Sequence, residues 1–210
     1  MSLIKKMRLR CNEKLIYIYG GITCTILGDL IESAQKELPL PLDNLDLGNA
    51  VKVCLENSKE LSGEEWVAKY GADTNSFLES MRKKVEEREA KLIETYGYKN
   101  KKDFYKNVMD CWVDAYEDKF LEISLLKHIK LDSWEGTDEK IEVQYDLPAE
   151  ILGAIVRFAF TKCKGKGPYA KGVEIVSKAL FPDGVPNSLE EYLESVDPDY
   201  GKYLLTAKAT

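Results

Sequence analysis

The chain has 210 residues, of which 44% are hydrophobic and 31% are charged, with a formal net charge of -6 and a pI of about 5.1. This composition is typical of an ordinary globular protein, and the length suits one well-packed core. The acidic balance argues against sequence-independent binding to nucleic acid, which requires a basic face. We therefore expect no nucleic-acid partner.

The cysteines and the start of the chain predict a cytoplasmic protein. Five cysteines are scattered without a CxxC motif, and an odd number leaves at least one unpaired in a monomer. A reducing compartment is the simpler interpretation, with the thiols packed in the core. The first 14 residues are basic but lack the apolar run and cleavage site of a signal peptide. No segment is long and apolar enough to span a bilayer, so we expect no membrane partner.

The first elements in chain order are a strand and a helix. Residues 15–19 are a dense run of β-forming side chains before two glycines, which is typical of a strand covered on both faces. Apolar residues over 47–55 then recur at helical spacing and form one stripe. Asp43, Asn44 or Asp46 could cap the start of this helix.

Two more helices and three strands follow. Residues 62–70 predict a short helix that ends at Gly71, and a longer helix runs from about 74 to 96. The pattern then changes to period two over 107–115 and 121–125, on either side of a turn at Glu117, Asp118 and Lys119, which predicts a β-hairpin. Residues 141–145 also alternate and predict a third strand with one wet face.

The last elements are helical. Pro148 opens a helix whose apolar face, over 151–162, is expected to lie against the sheet. The segments 173–180 and 188–196 predict two further helices. The order of elements predicts an α+β fold, a single domain in which helices pack on a mostly antiparallel sheet.

No catalytic or metal site emerges from the residue types. His128 is the single histidine and follows an apolar strand, so we interpret it as a packing residue rather than a metal ligand. Most acids lie on wet helix faces beside lysines, where solvation accounts for them better than catalysis. The glycine-rich segment 164–168 follows a helix rather than a strand, and predicts a helix stop rather than a phosphate loop. We expect no enzyme activity, no cofactor and no metal.

Two acidic segments are candidates for binding another protein. Trp134 stands among four acids in segment 131–139, which we expect to be a loop between strands. It either caps the edge of the core or forms an exposed anchor with an acidic rim of Asp132, Glu135 and Asp138. Segment 183–199 contains six acids and no Lys or Arg. It is either a solvated tail or a charged surface for a basic partner, with candidate contacts at Glu190, Glu191 and Glu194.

Several phrases in order carry a resemblance to a known family. They are 38–42 (LPLPL), 47–51 (LGNAV), 55–58 (LENS), 96–102 (YGYKNKK), 105–111 (YKNVMDC), 131–136 (LDSWEG) and 148–154 (PAEILGA). Their order and spacing resemble the immunity proteins of contact-dependent growth inhibition (CDI) systems, over about residues 8 to 165. None of these phrases is a catalytic signature.

The resemblance implies a protein that binds and neutralises the C-terminal toxin domain of a large exported effector. Toxins in such systems are often nucleases, so an acidic surface would speed encounter and imitate phosphates. The tail after about Pro168 lies beyond the resemblance. We therefore expect an immunity-protein-like domain over 1–167 and a helical, acidic extension over 168–210, packed on the same domain. The alternatives are a non-catalytic adaptor subunit of another bacterial complex and an enzyme acting on a small molecule.

Overall fold

The computed structural model describes the backbone of residues 3–24, 30–71, 74–117 and 119–206. It describes their side chains except at positions 3–4, 22–24, 30–34, 70, 74–75, 77–78, 81 and 205–206. The Cys24 side chain and Asp118 of the predicted turn therefore lie outside the described residues.

The strands form one sheet with the N-terminal strand near its centre. In the described part they are β1 (Leu3–Cys11), β2 (Leu15–Cys24), β3 (Leu30–Pro39), β4 (Lys59–Leu61), β5 (Met109–Tyr116), β6 (Phe120–Lys130), β7 (Ser133–Gln144), β8 (Lys164–Gly165) and β9 (Leu204–Thr206). The order across the sheet is β3-β2-β1-β5-β6-β7-β9, with antiparallel neighbours throughout. The short β4 and β8 add in parallel to β2 and β6.

The helices are α1 (Asn44–Glu56), α2 (Gly63–Tyr70), α3 (Thr74–Thr95), α4 (Lys101–Tyr105), α5 (Ala149–Lys162), α6 (Gly172–Leu180) and α7 (Leu189–Val196). All the predicted helices are confirmed, and α4 was not predicted. Their starts follow the capping rules, because the side chains of Asp43, Ser62 and Ser188 each accept a hydrogen bond from a backbone N–H of the first turn. The α+β class and the mostly antiparallel sheet are likewise confirmed.

One face of the sheet carries the main core. Met7, Leu9 and Cys11 of β1 point to this face, and helix α5 lies on it, buried from Ile151 to Phe160. This helix is covered on its other side by α1, α6 and α7, so it is buried all round rather than on one stripe. Helices α1 and α5 cross closely, since a Cβ at Gly48 would overlap the Ala149 carbonyl.

The opposite face carries a smaller aromatic cluster beneath α3 and α4. Leu15, Tyr17 and Tyr19 of β2 pack there with Leu92 of α3 and Phe104 of α4. Because the alternate residues Ile16 and Ile18 belong to the main core, β2 is covered on both faces, as predicted for 15–19. This cluster covers only part of the second face.

Two expectations differ from the structure. The basic N-terminal segment, for which no element was predicted, forms strand β1. Segment 131–139 is not a loop, because β6 and β7 continue as one hairpin in which His128 pairs with Trp134. Only a short turn at Leu131 and Asp132 joins them, and a bulge at Thr137 to Glu139 absorbs the extra residues. The alternation of apolar and polar residues in the sequence stops at this bulge, so strand β7 was predicted too short.

Candidate functional site

The sheet face of β1, β5, β6 and β7 that lies opposite α5 carries polar side chains in register, and we refer to it as the open face. Antiparallel pairing aligns its side chains in three rows: Lys6, Asp114, Glu122 and Glu142; Arg8, Trp112, Ser124 and Lys140; Arg10 and Asp110. The side chains of Lys6, Glu142 and Lys140 keep 28%, 29% and 50% of their surface exposed, so this face reaches solvent.

Asp110 anchors the buried end of the open face. Its carboxylate is fully buried and accepts hydrogen bonds from Arg8 Nε at 2.9 and 2.8 Å and from Arg10 Nε at 2.8 Å. Arg10 also donates from Nη1 to the Tyr105 hydroxyl at 3.2 Å, and that hydroxyl donates to the buried Glu89 of α3. This network ties α3 and α4 to the sheet through charge-assisted hydrogen bonds.

Two tryptophans on the open face bracket the guanidinium of Arg8. Its centre lies 5.2 Å from the ring centroid of Trp112 and 5.2 Å from that of Trp134. The centre of the Arg10 guanidinium lies 4.3 Å from the ring centroid of Trp134. The indole Nε1 of Trp134 donates a hydrogen bond to the Val108 carbonyl at 3.4 Å. Trp134 is therefore half-buried and caps the second cluster. Whether it also contacts a partner stays a prediction.

His128 is a packing residue, as predicted. It is fully buried, with its ring stacked 4.7 Å from Trp134 and 3.9 Å from Tyr169. Burial lowers the pKa of the imidazole, which favours the neutral ring. Segment 164–168 ends α5 and places Tyr169 on the histidine, which confirms the helix stop. In the described part of the chain, no cluster of three His, Cys, Asp or Glu residues could hold a metal ion.

Three carboxylates lie side by side in the row that begins at Lys6. Asp114 pairs with Glu122, which in turn pairs with Glu142 on the next strand. Lys140 Nζ lies 2.7 Å from a carboxylate oxygen of Glu122 and 2.7 Å from one of Glu142, and these bonds raise the pKa of the lysine. Burial raises the pKa of Asp114 to about 6, because the nearby Lys6 only partly offsets desolvation.

The predicted contact acids lie on two different sides of the molecule. Asp132, Glu135 and Asp138 are exposed near the end of the β6–β7 hairpin, where Asp132 Oδ2 lies 3.8 Å from Lys101 Nζ. The other three lie on α7, where Glu191 and Glu194 are exposed and Glu190 is partly buried. Helix α7 inserts Leu189 and Leu193 into the main core, on the opposite side of the sheet from Trp134. The structure therefore does not bring the two predicted groups together.

Sequence reasoning did not single out the open face. The alternation in 107–115 had assigned Asp110, Trp112 and Asp114 to one side of a strand, which is correct. What it could not give was the register that places Asp114 beside Glu122 and Glu142. A hairpin register could have been counted outward from the turn, but the bulge in β7 shifts the third strand.

A comparison with known proteins assigns the family. Residues 5–163 match the model of the family described as CdiI, CDI immunity protein. This match covers more than half of the chain, so the chain belongs to the CDI immunity protein family, whose members neutralise toxins of contact-dependent growth inhibition systems. The predicted resemblance is confirmed. No helix in the described segments has the length and apolar character needed to cross a membrane.

Individual relatives agree with this assignment. The immunity protein CdiI-YPIII of Yersinia pseudotuberculosis serotype O:3 is 28% identical over 134 residues, which cover 59% of this chain and 75% of the relative. A protein of unknown function from Neisseria meningitidis, NMB0488, superposes with a TM-score of 0.64 at 27% identity, over 77% of this chain and 96% of that one. A CdiA-CT/CdiI toxin and immunity complex from Yersinia pseudotuberculosis matches in fold, with a TM-score of 0.64 at 20% identity over 78% and 100% of the two chains.

Proposed function

We propose that this protein is a non-catalytic, cytoplasmic inhibitor that binds the C-terminal toxin domain of one CDI effector in a one-to-one complex. The observation that carries this proposal is the family match over residues 5–163. The Yersinia pseudotuberculosis structure of the same fold, described as a toxin and immunity complex, supports a toxin domain as the partner.

We expect tight binding, because an inhibitor that acts stoichiometrically must leave little of the toxin unbound. A Kd near nM corresponds to about -12 kcal/mol. Such affinity is typical of an interface of about 1,600 Å², or about 800 Å² on each partner. We propose that the toxin is a nuclease, because the net charge of -6 favours encounter with a basic protein. The inhibitor then either plugs the active site or blocks substrate docking.

The two groups of predicted contact acids are alternative surfaces for the toxin. The hairpin group is Asp132, Trp134, Glu135 and Asp138, and the α7 group is Glu190, Glu191 and Glu194. A patch of about 800 Å² covers one side of a small protein and does not reach around the sheet. We propose the hairpin group as the contact, because Trp134 lies on the open face and tryptophan is enriched at binding hot spots.

Two matched triple variants separate these surfaces. The first is Asp132→Asn, Glu135→Gln and Asp138→Asn, and the second is Glu190→Gln, Glu191→Gln and Glu194→Gln. Each removes three negative charges, so a general effect of net charge weakens both equally. We expect the hairpin variant to bind the toxin domain more weakly and the α7 variant to bind like wild type. Weaker binding by the α7 variant, with the hairpin variant binding like wild type, would instead indicate that the toxin contacts α7.

The function itself is tested by co-expressing this protein with the C-terminal domain of the large protein encoded immediately upstream. We expect the domain alone to stop growth, and co-expression to restore growth and give a stable one-to-one complex on purification. Toxicity without rescue or binding would exclude this pair. It would favour an adaptor subunit, which would co-purify with a different protein, or an enzyme, which would bind no protein tightly.

A further inference from the structure

The row of the open face that begins at Lys6 places like charges directly opposite each other. Asp114, Glu122 and Glu142 lie on three neighbouring strands in register, an arrangement that is destabilising unless cations compensate it. Lys140 bridges Glu122 and Glu142 with two contacts of 2.7 Å. Lys140 therefore compensates the charges of Glu122 and Glu142, whereas Lys6 is the cation beside Asp114.

The negative charge of the Asp114 carboxylate is only partly compensated. The residue is only 9% exposed, and its Oδ1 is buried without a hydrogen-bond partner among the described residues. Lys6 Nζ lies 3.8 Å from this oxygen, which is too long for a hydrogen bond. A buried acceptor without a donor costs free energy, so a further donor at this position would be favourable.

An aromatic ring borders the same position. Trp112 precedes Asp114 by two residues on β5 and is therefore on the same face. Lys6 Nζ lies 4.6 Å from the Trp112 ring centroid as well as 3.8 Å from Asp114 Oδ1. The protein's own lysine thus shows that a cation fits between the indole and the carboxylate, and its distance to Asp114 Oδ1 is that of an ion pair rather than of a hydrogen bond.

We propose that Trp112, Asp114 and Glu122 receive an arginine side chain of the bound toxin domain. This inference rests on the proposed function. A guanidinium suits the position because its planar fork donates to two carboxylates while its face stacks on an indole. The flexible, 28% exposed Lys6 side chain can swing aside as the guanidinium enters. The open face next to the hairpin group is then the centre of the interface.

The proposal is tested by calorimetric titration of the purified upstream-encoded toxin domain into wild type and three variants. Asp114→Asn and Glu122→Gln should each raise Kd at least about tenfold, since they remove one partner of a desolvated charge pair. The control Glu174→Gln removes one exposed carboxylate on α6, which packs on the other side of the sheet, and should leave Kd unchanged. Thermal melts of all proteins exclude loss of fold as the cause.

A double-mutant cycle identifies the arginine. Each arginine of the toxin domain is changed to alanine and tested against wild type and Asp114→Asn. We expect one arginine whose loss weakens binding to wild type at least about tenfold and has little effect on binding to Asp114→Asn.

The possible outcomes distinguish the arginine site from the proposed inhibitor function. If wild type binds and the open-face variants bind equally well, the arginine site is overturned and the inhibitor function stands. If these variants bind weakly but no toxin arginine is coupled to Asp114, the arginine is again overturned. If wild type does not bind at all, the proposed function fails and the inference fails with it.

Discussion

Arg10 Nε donates to Asp110 Oδ2 at 2.8 Å, with both side chains almost completely excluded from water. The pair lies 100 positions apart in the sequence and joins β1 to β5 in the middle of the sheet. Arg8 binds the same carboxylate, so one anion serves two cations. The stability of this region depends on that single carboxylate.

Replacing Asp110 should therefore be costly. Asp110→Ala leaves two buried or half-buried guanidinium groups without their anion, and breaking such a pair typically costs about 3–5 kcal/mol. Urea unfolding should show this loss as a lower midpoint. The control Asp138→Ala changes an exposed residue and should remain within about 0.5 kcal/mol of wild type. A small effect of Asp110→Ala would mean that the two arginines are solvated in solution.

The crossing of α1 and α5 should not tolerate a side chain at Gly48. A Cβ there would overlap the Ala149 carbonyl, and overpacking of this kind costs about 1–3 kcal/mol or more. This exceeds the gain in helix propensity of at most about 1 kcal/mol for alanine. We expect Gly48→Ala to lower the thermal midpoint. Gly136→Ala is the control, because a Cβ at Gly136 meets nothing within 4 Å, and it should be neutral or slightly stabilising.

The stability of the protein should depend on the protonation of Asp114. Its pKa is raised to about 6 in the folded protein, against about 3.9 in an unfolded chain. The folded state therefore binds this proton more tightly, so ionisation destabilises the fold. The cost is absent below about pH 4, grows between pH 4 and 6, and is complete above pH 6, where a shift of two units corresponds to about 3 kcal/mol.

Asp114→Asn isolates this effect, since it is neutral at every pH. We expect the variant to unfold at higher urea than wild type at pH 7.5, and the difference to shrink as the pH falls towards 4. Measuring both proteins at each pH removes the contributions of all other groups. A difference that does not change with pH would contradict the raised pKa.

Cys111 and Cys163 lie with their Sγ atoms 3.4 Å apart in the core, and Cys11 is buried near them. Burial raises the pKa of both Cys11 and Cys111, so neither forms the reactive thiolate near neutral pH. Iodoacetamide at pH 8 should leave these two residues unmodified in the native protein and alkylate them in urea, as mapped by mass spectrometry of peptides. Rapid alkylation under native conditions would show that the core opens locally.

Local signals were sufficient for the main helices and for strands β2, β5, β6 and β7. Helix α7 was predicted within one residue, because Ser188 is a strong N-cap and the apolar spacing is helical. Strand β1 was missed although Lys6, Arg8 and Arg10 alternate with apolar residues, a period-two pattern. The three cations masked the pattern because their partners on β5, Asp110 and Asp114, lie far away in sequence. A charged strand face is stable only with such partners, which the local sequence does not show.

The candidate sites were predictable only in part. The exposure of Asp138 and Glu194 follows from charge, and the structure has both exposed. Their placement on elements that pack on opposite faces of the sheet follows from topology, which no local pattern contains. The same holds for the row of Asp114 and Glu122, whose proximity depends on strand register.

The central position of β1 makes the sheet depend on a contact between distant parts of the sequence. Strand β1 is joined to β2 by a short connection, but its other neighbour, β5, begins only at Met109. Because such long-range pairing is slow, we expect the two parts of the sheet to join late in folding. The open face spans β1 and β5, so it is complete only after this pairing has formed.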